Sequence, residues 1–229
     1  MERRQLNTLL WIILLMLCSP VPAEDLASLL TRLKALDGTE PIRAIVTMEK
    51  ECPDQNNVPQ LETAKFNIAY DANGLSLTMS REASHADVLS NLSLHRVHEL
   101  ISYASTLVDE LKDLKFVKRI PDTYADIACQ HWQFEHEKKE SKLGVKAAVS
   151  RNVDIWTDND GYPIAASFKI LSDVKILFWK HHQESTRPQR YQRCGNRLIL
   201  IEDKQTSSIK QGKVTINNTV TTHVHIKER

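Results

Sequence analysis

The sequence predicts an α+β protein: a curved antiparallel sheet, shaped as a half-barrel, with an N-terminal helix and an inserted helical block. Three observations lead to this fold class. Aliphatic residues recur at helical spacing in two segments, residues 25–37 and 85–115. Apolar and polar residues alternate along most of the remaining chain, which is typical of strands with one buried face. Turn signals such as Asn73-Gly74 separate consecutive strands, and this favours an antiparallel meander.

The first 23 residues have the order of a secretory signal peptide. Arg3-Arg4 precede ten apolar residues, Leu9 to Cys18, and Val21 and Ala23 are small residues at the positions that a signal peptidase recognises. Ten apolar residues are fewer than the roughly 18–20 that span a bilayer, so a membrane anchor is the weaker interpretation. We therefore expect cleavage after Ala23, a periplasmic or secreted protein, and a single domain comprising residues 24–229.

The charge balance of the cleaved chain excludes an overall electrostatic attraction to nucleic acid. The whole sequence has 30 basic and 29 acidic side chains. The signal segment contains two basic residues and one acidic residue, so the cleaved chain has 28 basic and 28 acidic side chains. A net charge of zero does not attract phosphates. With only 6 glycines, the chain also lacks the glycine-rich phosphate motifs GxxxxGK[ST] and GxGxxG.

Three cysteines remain after cleavage: Cys52, Cys129 and Cys194. In an oxidising compartment one disulfide with one leftover thiol is an option, and three isolated cysteines are another. The sequence does not choose among the three pairings. Their spacing from histidines does not match a zinc site.

The N-terminal part reads as a helix followed by a three-stranded meander. The helix opens at Asp25 and ends at Asp37-Gly38, and its apolar face consists of Leu26, Leu29, Leu30 and Leu33. Period-two alternation starts at Ile42, is interrupted by a predicted loop over residues 51–60, and resumes to Tyr70. After the Asn73-Gly74 turn it continues to Met79.

The helical block of residues 85–115 is predicted to have a break between Asn91 and Ser93 and to end before Pro121. From Tyr124 onward the chain reads as strands, which brings the total to eight or nine. The last strand shows one apolar face, formed by Val214, Ile216, Val220, Val224 and Ile226. Because a bent sheet needs its concave face covered, we expect the two helical segments to fill it.

This order of elements resembles the LolA/LolB lipoprotein carriers, in which a helix precedes a meander and an inserted helical segment plugs a half-open barrel. The resemblance covers most of residues 25–229 and implies a cavity for lipid. Several segments are also similar to a group of uncharacterised exported bacterial proteins: LDGTEPIRAIVTMEKE (36–51), NGLSLTMSRE (73–82), DIWTDNDGYPIAASFKI (154–170) and RYQRCGNRLILIED (190–203). Neither resemblance carries a catalytic residue over to this chain.

Two sets of residues are candidates for binding. The first is an apolar cavity lining for an acyl chain or lipoprotein lipid, and the same side chains would also suit an ordinary solid core. It comprises Phe66, Ile68, Leu77, Trp132, Phe168, Phe178 and Trp179. The second is a basic rim for anionic head groups or an acidic envelope protein, for which a charged sheet edge is the alternative. It comprises Arg187, Arg190, Arg193 and Arg197, near Lys180, His181 and His182.

Metal and catalytic motifs are not found in the sequence. The histidine pairs His95/His98, His181/His182 and His223/His225 have no third ligand at a suitable spacing, and we interpret them as surface residues. Asp158-Asn159-Asp160-Gly161 departs from the calcium-loop pattern and is interpreted as a turn. A GxSxG elbow does not occur, and we expect no cofactor, no metal and no identifiable catalytic residue.

Three functions are compatible with these features. The first is non-covalent binding or carriage of an apolar ligand in the half-barrel. The alternative is an envelope interaction protein with a filled core, and a hydrolase is the third choice. A hollow interior distinguishes the first from the second.

Overall fold

We analysed a computed structural model of the chain, which describes residues 24–36, 38–53, 59–79, 93–142, 145–176, 179–212 and 214–227. The described part contains three helices and ten strands. The helices are α1 (Glu24–Lys34), α2 (Leu94–Ile101) and α3 (Ala104–Leu111). The strands before the α2–α3 insertion are β1 (Ile42–Pro53), β2 (Pro59–Asp71) and β3 (Gly74–Met79). Those after it are β4 (Lys115–Tyr124), β5 (Ile127–Lys142), β6 (Val145–Thr157), β7 (Pro163–Ile176), β8 (Trp179–Cys194), β9 (Arg197–Gln211) and β10 (Val214–Ile226).

The ten strands form one curved, unclosed sheet in the order β3-β2-β1-β10-β9-β8-β7-β6-β5-β4. Every neighbouring pair is antiparallel. All neighbours in the sheet are also neighbours in sequence except β1 and β10, which pair from Ala44–Ile226 to Glu51–Thr219. The predicted α+β class, the curved antiparallel sheet and the two helical segments are therefore confirmed.

The core lies on one face of the sheet, which we call the inner face, where the helices pack. Helix α2 begins at Ser93, whose side-chain oxygen accepts a hydrogen bond from the backbone N–H of Arg96 at 3.1 Å. The helices contribute leucines and isoleucines at helical spacing, which contact apolar residues that alternate along the strands. The most deeply buried helix residues are Leu29, Leu33, Val97, Leu100, Ile101, Ala104 and Leu107.

The strands of the second half extend well beyond the helices. Strand β8 has 16 residues, which at about 3.3 Å per residue makes it about 50 Å long. Helix α2 has 8 residues and α3 has 8, which at about 1.5 Å per residue makes each about 12 Å long. The helices therefore cover one end of the inner face. The other end, where β5–β6, β7–β8 and β9–β10 are joined, is called the hairpin end below.

The boundaries differ from the sequence prediction in three places. The sheet has ten strands because β4 begins at Lys115. Its proline, Pro121, is accommodated because β4 is an edge strand that pairs on one side only. The predicted loop 51–60 is shorter than expected, since β1 extends to Pro53 and β2 starts at Pro59. The described break in the helical block lies at Ser102-Tyr103, and the predicted break between Asn91 and Ser93 falls largely outside the described residues.

The predicted signal peptide, residues 1–23, lies outside the described residues. Among the residues that the structure does describe, none of the helices has the length and apolar character needed to cross a membrane.

Candidate functional site

A cavity of about 1000 Å³ lies at the hairpin end. Its lining spans three adjacent cross-strand rows: the middle row, Glu140, Ala147, Val174 and His181, is on the inner face by register, and the rows on either side, which contain five lysines, are on the outer face. Nearly all other lining residues are sequence neighbours of the middle row. Its volume is at the upper end of the roughly 300–1,000 Å³ found for small-molecule sites. We call this space the distal cavity.

Several aliphatic side chains of the inner face at the hairpin end are open to solvent. By register, Ile209 lies opposite Ile216, and Val214 lies opposite Gln211 on the same face. Val214 is 59% exposed, Ile216 43% and Ile170 36%. Equivalent inner-face residues beneath the helices are buried almost completely. The hairpin end therefore presents apolar surface that the described helices do not cover.

The residues predicted to line a cavity lie elsewhere. Phe66, Ile68, Trp132 and Phe168 are 0–4% exposed and belong to the core beneath the helices. The indole N–H of Trp132 donates a hydrogen bond to the hydroxyl of Thr157 at 3.0 Å. Of the other three, Leu77 packs against the edge of this core, Phe178 lies outside the described residues, and only the backbone of Trp179 is described. The described members of this set thus pack against the helices, and none of them lines the distal cavity.

The four predicted rim arginines do not share one surface. Arg187 and Arg197 point to the inner face and are largely buried. Arg190 is exposed and donates to Glu202 at 3.3 Å, while the guanidinium of Arg193 stacks 4.0 Å from the ring centroid of Tyr162. Of the four predicted rim arginines, two are thus buried in the interior and two are exposed to solvent.

Arg187 belongs to a buried polar network centred on Asp203. Its Nε and Nη2 each donate to a carboxylate oxygen of Asp203 at 2.7 Å. Arg96 of α2 donates to the same carboxylate at 3.0 Å, and the amide of Gln189 does so at 3.2 Å. The Gln189 amide also donates to the hydroxyl of Tyr103 at 3.0 Å. This network connects the helical block to strands β8 and β9.

Burial raises the pKa of the Tyr103 hydroxyl, and it raises the pKa of Tyr191 well above its ordinary value. Burial alone would lower the pKa of Arg187, but its hydrogen bonds to Asp203 outweigh burial and raise it. Both tyrosines therefore stay neutral, and Arg187 stays charged at physiological pH. Because these groups hydrogen-bond to one another in the interior, the network holds the helices against the sheet. None of its groups is positioned to transfer a proton to a ligand.

Arg197 is a second buried cation, 1% exposed, at the other end of the inner face. Its Nε donates to the carbonyl of Glu40 at 2.7 Å and its Nη1 to the carbonyl of Ile101 at 3.3 Å. Its guanidinium carbon lies 4.5 Å from the ring centroid of Tyr70. Burial lowers the pKa of Arg197. This residue thus links α2 to the loop before β1.

A second cleft, of about 1140 Å³, lies at the end opposite the distal cavity. It forms because the β9–β10 pairing ends at Glu202–His223, while the β1–β10 pairing continues to Ala44–Ile226, so the sheet separates there. Its charged lining includes Arg43, Arg190, Arg197, Lys227, Glu40, Asp71 and Glu202. Because this lining contains four cationic and three anionic side chains, it favours neither an anionic nor a cationic ligand.

In two of the three histidine pairs, the two side chains have different contacts. His181 lies on the inner face, whereas His182 lies on the outer face and contacts Asp173 at 2.8 Å. The rings of His223 and His225 are 6.5 Å apart between centroids. His95 lies 3.5 Å from Glu99, while His98 contacts the edge of Tyr70.

The turn and cysteine predictions have clear outcomes. Asp158 accepts a hydrogen bond from the backbone N–H of Tyr162 at 2.8 Å, and Gly161 has a φ of 81°, which confirms the predicted turn. Cys129 and Cys194 are both free thiols, so no disulfide joins them. The side chain of Cys52 is not among those described.

Sequence reasoning missed the distal cavity and the Asp203 network. For the cavity, the available signal was the continued alternation of Val145, Ala147 and Val149 on the face of Val153. For the network, no local signal existed, because Arg96, Tyr103, Gln189 and Asp203 are brought together only by tertiary packing.

The chain has little similarity to known proteins. No protein-family profile and no curated protein matches the sequence. Among solved structures, a LolA superfamily protein from Nitrosomonas europaea is similar, with 10% identity over 89% of this chain and 94% of that chain and a TM-score of 0.30.

Proposed function

We propose that the protein binds an apolar ligand, such as the acyl chain of a lipid or lipoprotein, in the distal cavity. The observation that carries this proposal is the exposed aliphatic surface at the hairpin end, together with a cavity of about 1000 Å³ that residues of both sheet faces line there. The distal cavity replaces the sequence-predicted lining as the proposed site, because the described residues of that lining pack against the helices.

The physical basis is the transfer of methylene groups from water to this surface. Each methylene that becomes buried contributes about 0.8 kcal/mol, so eight or more would offset the loss of ligand freedom that accompanies binding. Side chains such as Val174 and Ile209 supply dispersion contacts without demanding hydrogen bonds. A hydrocarbon chain would contact Ala147 and Val174, while the charged side chains of the lining, five lysines among them, would suit a polar head group at its end.

Two substitutions provide the test. Ala147 is on the inner face and lines the cavity, whereas Asn217 is exposed on the outer face of β10 and does not line it. Palmitate should displace the fluorescent probe N-phenyl-1-naphthylamine from the native protein. Ala147→Phe should weaken palmitate binding about tenfold, because the ring occupies the space of at least two methylenes. Asn217→Phe should bind palmitate as the native protein does.

Absence of palmitate binding to the native, delipidated protein would contradict the proposal. Equal loss in the Ala147→Phe and Asn217→Phe variants would also contradict it, since the substitution at residue 217 leaves the cavity unchanged. Thermal unfolding of both variants serves as the control for folding.

We further propose that the chain is exported and cleaved after Ala23, as its N-terminal sequence indicates. The protein isolated from its own cells should then begin at Glu24, and its intact mass measures this directly. A mass that includes residues 1–23 would overturn the cleavage.

A further inference from the structure

The outer face at the hairpin end carries a row of lysines across three adjacent strands. Lys146 of β6 lies directly opposite Lys175 of β7, and Lys175 lies directly opposite Lys180 of β8. All three side chains are exposed, and all three residues also line the distal cavity. Within the part of the chain that the structure describes, none of the three forms an ion pair with a carboxylate. We call these residues the lysine row.

The next outer-face row adds to this charge. The register continues from Lys139 through Ala148, Asp173 and His182 to Lys210. Asp173 contacts His182 at 2.8 Å, and Lys139 contacts Glu137 at 2.6 Å. The two rows together contain five lysines and one aspartate, a formal charge of +4, on a protein whose cleaved chain has no net charge.

The lysine row does not stabilise the sheet. Like charges placed directly opposite each other on neighbouring strands repel, and the side chains are too exposed to gain from packing. Charged edges discourage strand association, but these residues lie on a sheet face, and β6, β7 and β8 all have partners on both sides. The row is therefore better explained by a partner that supplies negative charge.

We propose that this face binds an anionic lipid surface. All five cations in the two rows are lysines, and an ammonium group acts as a hydrated point charge. Such groups suit attraction to a layer of lipid phosphates, whereas paired recognition of one carboxylate is typical of arginine. Contact at this face would also bring the hairpin end, with the distal cavity, next to the bilayer.

Binding of the cleaved chain to vesicles tests the proposal. We expect it to bind vesicles of phosphatidylglycerol mixed with phosphatidylcholine, to bind pure phosphatidylcholine far more weakly, and to dissociate as salt is raised. Each lysine near an anionic surface contributes about fivefold to binding, so the Lys146→Gln, Lys175→Gln, Lys180→Gln triple variant should lose about 100-fold. Its melting temperature should rise, because the repulsion is removed.

The matched control is the triple variant Lys112→Gln, Lys115→Gln, Lys118→Gln, which has the same net charge and alters exposed lysines near β4. It should retain vesicle binding within about fivefold of the native protein. Equal losses of vesicle binding in the two triple variants would show that binding depends only on net charge, and this would overturn the proposal.

Failure of the native protein to distinguish the two vesicle compositions would also overturn it. If the native protein binds polyglutamate through the lysine row but not phosphatidylglycerol vesicles, the surface belongs to an acidic polypeptide and the lipid proposal is wrong. The Ala147→Phe variant should bind vesicles normally, so failure of the cavity and failure of the lysine row are distinguishable.

Discussion

Arg197 shows how one side chain joins distant parts of the chain. It follows the turn at Gly195-Asn196, and its guanidinium reaches the carbonyl groups of Glu40 and Ile101. The aliphatic part of this arginine packs against Gly38, whose backbone N–H donates to the carbonyl of Asn196 at 3.1 Å. A glycine is required here because the arginine stem occupies the space of a side chain.

Gly38→Ala should therefore be destabilising. The added Cβ would lie 2.2 Å from Cγ of Arg197 and 3.0 Å from the carbonyl oxygen of Asn196, so the buried arginine must move. Overpacking of this kind costs about 1–3 kcal/mol in the free energy of unfolding, which denaturant titration measures. Thr39→Ala, at the exposed neighbouring residue, should change it by less than about 0.5 kcal/mol. Similar free energies of unfolding for Gly38→Ala and Thr39→Ala would show that Arg197 moves away from the added Cβ at little cost.

His98 should make the protein less stable in mild acid. Burial and, to a lesser extent, the charges of Arg197 and His95 lower the pKa of His98, while Glu99 opposes them. As the pH falls below about 6.5, the unfolded chain binds this proton before the folded chain does, so the free energy of unfolding decreases. His98→Gln should show a smaller decrease between about pH 7.5 and 5.5 than the native protein.

The control for this comparison is the exposed His225. Denaturant titration of His225→Gln should give the pH dependence of the native protein. If His98→Gln retains the full acid sensitivity, the destabilisation has its origin in other groups.

At the scale of elements, the Asp203 network attaches α2 and the residue that precedes α3 to strands β8 and β9. Arg96 lies in α2, Tyr103 precedes α3, and Arg187 and Asp203 lie on the two strands. The helices are short, and isolated helices of 8 residues are unstable in water. Their position on the sheet consequently depends on apolar packing together with these buried hydrogen bonds.

Asp203→Ala should be strongly destabilising, because it leaves two guanidinium groups without their carboxylate in a largely buried region. Loss of one partner of a buried ion pair costs about 3–5 kcal/mol, measured as the free energy of unfolding. Glu202→Ala is a matched control, since the adjacent Glu202 is on the outer face and contacts the exposed Arg190. It should cost less than about 1 kcal/mol, as exposed pairs do.

Equal effects of the two substitutions would mean that solvent reaches the network and weakens it. The comparison isolates burial, because both variants remove one carboxylate from the same strand and change the net charge equally.

At the scale of the whole molecule, the sequence predicted the sheet well because its signals are local. Alternation and turn residues such as Asn73-Gly74 and Asp158–Gly161 act over a few positions, so strand order followed from short connections. It missed β4 as a strand because Pro121 is unfavourable in a central strand, and only the assembled sheet shows that β4 is at the edge.

The candidate site was less predictable, because it depends on where helices cover the sheet. Phe66 and Val174 both belong to apolar strand faces, and nothing local shows that helices pack on the first and leave the second beside a cavity. The lysine row has the same origin, since Lys146 and Lys175 become neighbours only through the register of β6 and β7.

The pairing of β1 with β10 determines when the sheet can be completed. Residues 219–226 form the neighbour of β1, so the N-terminal meander has no complete set of partners until almost the entire chain has left the ribosome. At roughly 5–20 residues per second, the interval between synthesis of the two strands is about 10–30 s. During that interval β1 lacks its β10 neighbour, so the sheet stays incomplete at the junction of its two halves.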